Sequence, residues 1–416
     1  MKRILILGAG TAGTMMANHL NRKVNKTEWS ITIIDQYAKH YYQPGFLFIP
    51  FGIYSEQDVV KKKTDFIPKG VEYIQSSIEL IDAEKNHVVL SNQKKINYDI
   101  LIIATGCEIV PEETEGLKDG WRQDIFDFYT PDGAVALREK LNNFSGGKVV
   151  VHLTEMPIKC PVAPLEFVFL ADWFFSAKKK NRQEIELEYV TPLGGAFTKQ
   201  ICSDVLGGLF TDRNIGLVTK FNVSHVDSSK KKLVSFDDQE VDYDLLVTVP
   251  INMGSKVIER SGLGDDLNFV PTDKNTLQAK AYENIFVIGD ASDIPASKAG
   301  SVAHFEAEIL TENILSYIAH KPLTAHFDGH ANCFIEAGYN QAYLIDFNYE
   351  YEPVTGTFPL PGVGPFSLLK ATKINHLGKM AFKYIYWYML LRGIPIPTVP
   401  AHMKKSGKNL EQLFAK

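Results

Sequence analysis

Lys2-Arg3-Ile4-Leu5-Ile6-Leu7-Gly8-Ala9-Gly10-Thr11-Ala12-Gly13, answered further on by Ile33-Ile34-Asp35, is the stretch that decides the fold. Ile4 to Leu7 is short, β-branched and leucine-rich, as expected of a parallel strand buried on both faces. The three glycines fit G-x-G-x-x-G. Gly8 permits the tight turn and Gly10 lets the backbone approach a pyrophosphate. Gly13 lets a helix, expected to start near Thr14, pack close to the strand with its N-terminal amides aimed at the phosphates. Asp35 ends the second strand, where a carboxylate can hold a ribose hydroxyl. Strand, glycines, helix, strand and terminal acid in that order predict a dinucleotide-binding unit, which the glycine pattern alone would not.

The 416 residues exceed the usual size of one hydrophobic core, so two or three domains are expected. A 45% hydrophobic and 22% charged composition excludes a disordered chain. The formal charge of −5 is unevenly spread: from Phe366 onward nine basic residues face Glu411 alone, about +8, which leaves about −13 for the rest. A basic, apolar tail on an acidic body suits an anionic lipid surface. Nothing in the pattern points to nucleic acid, and a homo-oligomer is compatible with it. Four cysteines at 107, 160, 202 and 333 form no CxxC pair and no zinc spacing. They exclude a disulfide scaffold and a metal site but leave room for one specific redox pair. The first strand begins at once, so no signal peptide is expected, and no apolar stretch reaches the roughly 18 residues of a membrane span. The expectation is a peripheral membrane protein, on the cytoplasmic side by default.

Along the chain, His40-Tyr41-Tyr42-Gln43-Pro44-Gly45-Phe46 reads as a rigid aromatic turn following the ribose-binding strand. Gln43 and Pro44 are therefore placed against the cofactor. Residues 71 to 103 read as short strands, the last ending in Ala104-Thr105-Gly106, a small-residue turn where backbone can come close to a nucleotide. A repeat follows: Asp82, Lys85, Val89, Tyr98, Asp99 and Leu101 recur 145 positions later as Asp227, Lys230, Val234, Tyr243, Asp244 and Leu246. The fold unit is duplicated, and Lys148 to Leu153 supplies the second copy's first strand. There, Thr154, Met156 and Lys159 replace the three glycines, and Val190-Thr191 replaces the acid. Backbone amides cannot form the same phosphate cradle around those side chains, so one nucleotide cofactor and no NAD(P)H site are expected.

Cys160, in Lys159-Cys160-Pro161-Val162-Ala163-Pro164, stands after a strand, where open α/β sheets place ligands. Lys159 beside it would favour a thiolate. Glu166 and His152 are candidate proton carriers. Glu283 to Asp290 is a buried strand ending in Gly289-Asp290, whose carboxylate can bind hydroxyls of the same cofactor. Lys298 opens the next helix, where its charge can face the pyrimidine edge of a flavin. Cys333 begins the last third. Pro365 to Lys373 and Leu377 to Arg392 end it, the second apolar around much of its girth, rich in interfacial aromatics and flanked by lysines, as suits a helix lying in a membrane surface.

The glycine turn, Ala104-Thr105-Gly106, Gly289-Asp290 and the duplication resemble the two-dinucleotide-domain flavoproteins related to glutathione reductase. Within these the chain is similar to the sulfide:quinone oxidoreductases, and closer to the mitochondrial-type branch than to the bacterial three-cysteine branch. His40 to Pro44 resembles that family's turn beside the flavin. Lys159-Cys160 with Ala163-Pro164 resembles its first redox-cysteine segment, and Cys333 with Gly338-Tyr339-Asn340 and Asp346-Phe347 its second. Tyr386-Trp387 and Met389 to Gly393 resemble its membrane-facing end. The chain departs in having no cysteine from Asp124 to Phe128 and in carrying Pro161-Val162 where small residues are usual. Cys107 and Cys202 read as structural.

The resemblance implies an α/β fold of two interleaved Rossmann-like domains. An FAD domain would take residues 1–110 and 265–325, a second Rossmann-like domain 111–264, and a C-terminal region 326–416 would carry the second cysteine and the membrane segment. It implies FAD, sulfide and a membrane quinone. Sulfide would attack a Cys160–Cys333 disulfide, leaving a persulfide on one sulfur and a thiolate on the other. By resemblance Cys160 faces the flavin and Cys333 carries the sulfur; the residues are equally compatible with the reverse. Three other readings stand beside it: a single-subunit NADH:quinone oxidoreductase, a sulfide dehydrogenase flavoprotein donating to a cytochrome, and a non-catalytic flavin-binding sensor module at the membrane.

Overall fold

Residues 1–414 are described by the computed structural model; Lys416 of the basic tail lies outside them. Ile4, Leu5, Ile6 and Leu7 are all fully buried, because their strand lies inside a parallel sheet with helices against it. The sheet order is 285–287, 100–103, 2–7, 29–35 and 71–75, all neighbours parallel. Helix α1 spans Thr11–Lys23, three residues earlier than expected. Gly10 remains extended as its N-cap, and Gly13 lies inside the first turn, where a Cβ would stand 1.9 Å from the Gly8 carbonyl oxygen. The third glycine therefore sits within the helix it brings close, not ahead of it.

The second unit, whose first strand leads into α2, Pro131–Asn143, repeats this order: strands 125–126, 245–249, 147–153, 185–190 and 216–218, again parallel. Each unit also carries a three-stranded antiparallel meander, 78–82, 87–90 and 95–97 in the first and 223–227, 232–235 and 240–242 in the second. The repeat read from six residues is thus a repeat of whole strands. Its two copies touch where Cys107–Ile109 pairs antiparallel with Asn252–Gly254.

Between the second unit's first two strands runs α3, Ala163–Trp173, buried over nearly its whole length and continued by a π turn through Lys178. Helices α4, Gln200–Asp212, and α5, Lys256–Arg260, follow, and α6, Gly300–Ile318, returns to pack on α1. The last third forms a four-stranded sheet in the order 331–336, 342–347, 364–368, 356–360. Pro365 to Lys373 is thus strand and turn, and the final helix, α7, begins at Lys373, where the Thr372 hydroxyl accepts the Asn375 N–H. α7 ends at Ile385 and a π turn continues it to Leu390.

That last helix does not lie freely on a surface. Tyr386, Trp387, Leu390 and Leu391 are buried, with Trp387 stacked on Phe66 at 5.2 Å and Tyr386 5.0 Å from Tyr42. Ile374, Leu377, Tyr384 and Tyr388, spaced by three, seven and four along the opposite face, are 50–65% exposed. No helix among the described residues is long and apolar enough to cross a membrane.

Candidate cofactor cradle and dithiol site

The glycine loop rests on the turn that follows the neighbouring strand. A Cβ on Gly8, whose φ is +95°, would come within 2.4 Å of the Ala104 carbonyl oxygen, so only glycine fits. A Cβ on Gly10 would meet nothing within 4 Å, and no side chain caps α1. The first-turn amides therefore open onto free space, as an anion site at a helix N-terminus requires. Gly106, with φ +70°, also faces open space, and the neighbouring Thr105 hydroxyl is buried with no partner.

Asp35 is more occupied than expected. Its Oδ2 accepts the Ala9 N–H at 2.7 Å, its Oδ1 accepts the Tyr37 N–H at 2.8 Å, and Lys63 pairs with it from a later turn. The carboxylate thus holds the glycine loop in shape with only part of its acceptor capacity left. Gln43 and Pro44 open the 3-10 turn Gln43–Phe48, with Gln43 exposed. The tail reaches this region: Tyr386 Oη lies 2.7 Å from both Thr11 Oγ1 and His40 Nε2.

On the other side of the sheet's crossover, Gly289 donates its N–H to Glu306 Oε2 at 2.7 Å. The Asp290 carboxyl is pushed up by burial, with Lys298 and Lys159 pulling it back. Lys298 Nζ itself donates to the carbonyls of Ser292, at 2.6 Å, and Asp290, at 3.2 Å, and sits 4.0 Å over the Phe269 ring. Its charge is spent holding the Asp290 turn and does not project from the start of α6.

Cys160 is held from three directions. It takes the left-handed φ of 52°, donates its N–H to the Lys298 carbonyl at 2.7 Å, and its own carbonyl accepts from Tyr129 Oη at 3.2 Å. The Cys160 loop and the Asp290 turn are therefore one connected structure. Cys333 lies mid-strand opposite Ile345. Among the described residues all four cysteines are free, and Cys160 and Cys333 are both half-buried.

The fold brings Cys160 and Cys333 to the same pair of charges. Glu166, in the first turn of α3, receives Lys379 Nζ from α7 at 2.7 Å, and Lys379 also donates to the Phe334 carbonyl at 3.2 Å. Burial pushes the Cys160 thiol well up, Glu166 and Cys333 add to this, and Lys379 opposes it. Burial likewise pushes Cys333 up to about 12, opposed by Lys379. Lys159 is not the cation that acts on Cys160. Its ammonium faces the Tyr129 ring at 6.0 Å and acts instead on Cys107 and Asp290.

His152 lies apart from the cysteines. It shares the strand face of Val150, edge-on to Phe221, while Val151 and Leu153 face the cluster that includes Cys160. Its Nδ1 is 3.1 Å from Thr248 Oγ1, and burial lowers its pKa to about 3. Cys202 is fully buried in the core. Cys107 lies 3.9 Å from Asp290 Oδ2 and 3.8 Å from Asn252 Oδ1, the atom that also accepts the Lys159 N–H. Sequence reading missed Lys63, Glu336, Lys379 and Tyr386 as site residues. Lys379 carried only the signal of a basic tail, and Tyr386 that of an interfacial aromatic.

The open amides above Gly10, the unpartnered Thr105 hydroxyl and the half-buried Asp290 carboxyl fit the pyrophosphate and hydroxyl groups of FAD, which is the cofactor. Two parallel sheets in one order, one with an intact cradle and one without, define a flavoprotein with two Rossmann-like domains. The family described as pyridine nucleotide-disulphide oxidoreductase matches residues 2–151. Within this class the chain is similar to the mitochondrial sulfide:quinone oxidoreductases. It is 29% identical to that of Dictyostelium discoideum and 27% to that of Mus musculus, in each case over 94% of this chain and 86% of the relative. The solved sulfide:quinone oxidoreductase of Aquifex aeolicus superposes with a TM-score of 0.78 at 22% identity, over 95% of this chain and 92% of that one.

Proposed function

We propose that the chain is an FAD-dependent sulfide:quinone oxidoreductase with Cys160 and Cys333 as its redox pair. The observation that carries this reading is that a loop cysteine and a strand cysteine from distant parts of the chain share one buried Glu166–Lys379 pair, with the Cys160 loop tied through Lys298 to the Asp290 turn. HS⁻ attacks one sulfur of the oxidised pair, the S–S bond breaks, and the other sulfur leaves as a thiolate. Lys379 stabilises that thiolate, since its ammonium is the cation opposing the burial of both sulfurs. FAD, when bound, would supply the two-electron acceptor for the pair and the electron donor to a quinone. Gly8, Gly10, Gly13, Asp35, Ala104, Thr105, Gly106, Gly289 and Asp290 hold it, with Gln43 and Pro44 in the turn alongside.

The quinone arrives from an anionic membrane surface met by the exposed face of α7. Leu377, Tyr384 and Tyr388 there stand among lysines, and Lys61 lies 4.8 Å over the Tyr388 ring. An NADH-oxidising reading needs a second glycine cradle. The strand 147–153 leads instead into Thr154, Met156 and the Cys160 loop, and α3 starts only at Ala163. In Cys160→Ser and Cys333→Ser the flavin absorbance should remain while bleaching by sulfide slows at least about a hundredfold. Retained bleaching in either variant removes that cysteine from the pair, and a non-catalytic flavin module would show no bleaching even before substitution.

A further inference from the structure

His376 belongs neither to the cysteine pair nor to the FAD cradle, yet it is hydrogen-bonded into the charge cluster that acts on both cysteines. Its Nδ1 lies 2.8 Å from Glu336 Oε2. The Glu336 side chain is 2% exposed, whereas that of His376 keeps 19%. The Glu336 N–H donates at 2.7 Å to Glu166 Oε1, the same oxygen that receives Lys379 Nζ. His376 and Lys379 are three residues apart on α7 and so share a face. An imidazole and an ammonium thus flank two carboxyl groups.

The imidazole is this cluster's contact with water: Glu166 is fully buried and Lys379 is 8% exposed, and burial pushes the Glu166 carboxyl up while Lys379 pulls it back. Other charged and titratable groups stand nearby: Arg213 donates to the Ala337 carbonyl at 2.6 Å and faces Asp172, and Lys383 on α7 lies 4.1 Å over the Tyr54 ring. From the strand 331–336 there is otherwise only the Cys333 thiol. On 342–347, Asp346 is taken by His330 at 2.8 Å and Lys408 at 2.5 Å. The strand 364–368 carries no charge, and Lys370 and Lys373 are exposed. The chemistry also needs one proton from outside: HS⁻ gives up two electrons and one proton, while a quinone takes two electrons and two protons.

We propose that His376 is the group through which the Glu166–Lys379–Glu336 cluster takes that proton from solvent. This rests on the sulfide:quinone reading. Water delivers a proton to the imidazole on its exposed side, and Nδ1 passes one to the Glu336 carboxylate. His376 is a positioning and proton-exchange residue that touches neither substrate nor cofactor.

The test uses the FAD-loaded enzyme. His376→Gln keeps a hydrogen-bonding side chain but carries no proton at neutral pH. Sulfide-driven quinone reduction at pH 7 should fall about a hundredfold with an unchanged flavin spectrum, and added imidazole should restore it. Alkylation of the thiols by iodoacetamide, which needs no sulfide chemistry, should move to higher pH in His376→Gln, where the cluster is more negative. It should move to lower pH in Glu336→Gln, where one carboxylate is gone. Unchanged turnover, a loss that imidazole does not rescue, or alkylation profiles that coincide with wild type would each overturn the proposal. Should sulfide fail to bleach the unmodified enzyme, the functional reading is what fails. The alkylation profiles then decide by themselves whether His376 governs the proton of the cluster.

Discussion

Glu306 shows how one buried carboxyl ties the FAD cradle to pH. Burial pushes it up to about 7; the Gly289 N–H and Lys298 pull it back, and Asp290 pushes it further. Between its ordinary value of 4.5 and about 7, the folded protein holds a proton that the unfolded chain has released. Stability contributed at this site is therefore present below 4.5 and falls as pH rises through that window. Glu306→Gln keeps an acceptor for Gly289 but cannot ionise. In urea unfolding of flavin-free protein it should gain on wild type from pH 5 to pH 8, by up to about 3 kcal/mol. Equal gains at both pH values would show that Glu306 does not titrate there. At this scale the sequence was informative about the glycines and silent about partners. A glycine turn announces itself because a neighbour's backbone excludes any Cβ within a few residues. Lys379 meets Glu166 only because two helices from distant parts of the chain both dock on the strand 331–336, and no local spacing encodes that. The same docking is why Lys159, adjacent in sequence to Cys160, is not the cation acting on it.

Two of the cradle's elements separate folding from binding. Gly13 sits inside α1 with its missing Cβ aimed at the Gly8 carbonyl, and Gly10 faces empty space. Gly13→Ala should lower the stability of the flavin-free protein by about 1–3 kcal/mol through overpacking. Gly10→Ala should leave that stability within about 0.5 kcal/mol and weaken FAD binding at least about tenfold, read by flavin fluorescence. Losses of equal size in both measurements for both variants would mean that Gly10 has no ligand above it. The elements themselves follow from periodicity: the buried strand runs were readable because a parallel strand has no polar face to alternate with. Helix α7 was readable as apolar, but its two faces were not assignable, since burial of Tyr386 and Trp387 depends on His40, Tyr42 and Phe66 arriving from the first unit. Leu377→Asp, on the exposed face, should cut co-sedimentation with anionic vesicles while leaving flavin content unchanged. Undiminished sedimentation would place the membrane contact elsewhere.

For the whole molecule, duplication followed by loss in one copy explains the division of labour. Both units repeat one strand order, and the copies join through Cys107–Ile109 and Asn252–Gly254. The unit with the glycines keeps its cradle. In the other, the corresponding turn carries Cys160 and bends toward Lys298 of the first unit. The duplication was legible because six identities recur at one fixed offset. The approach of the third sheet, which brings Cys333 and α7 to that turn, was legible only by likeness to a family, because nothing local to residue 333 names its neighbours.

Anaerobic titration of the purified FAD protein, followed by its visible spectrum, bears most directly on this account. Sulfide should bleach the flavin at close to one equivalent, a short-chain quinone added afterwards should restore it, and NADH should do neither. Bleaching by NADH with indifference to sulfide would contradict it.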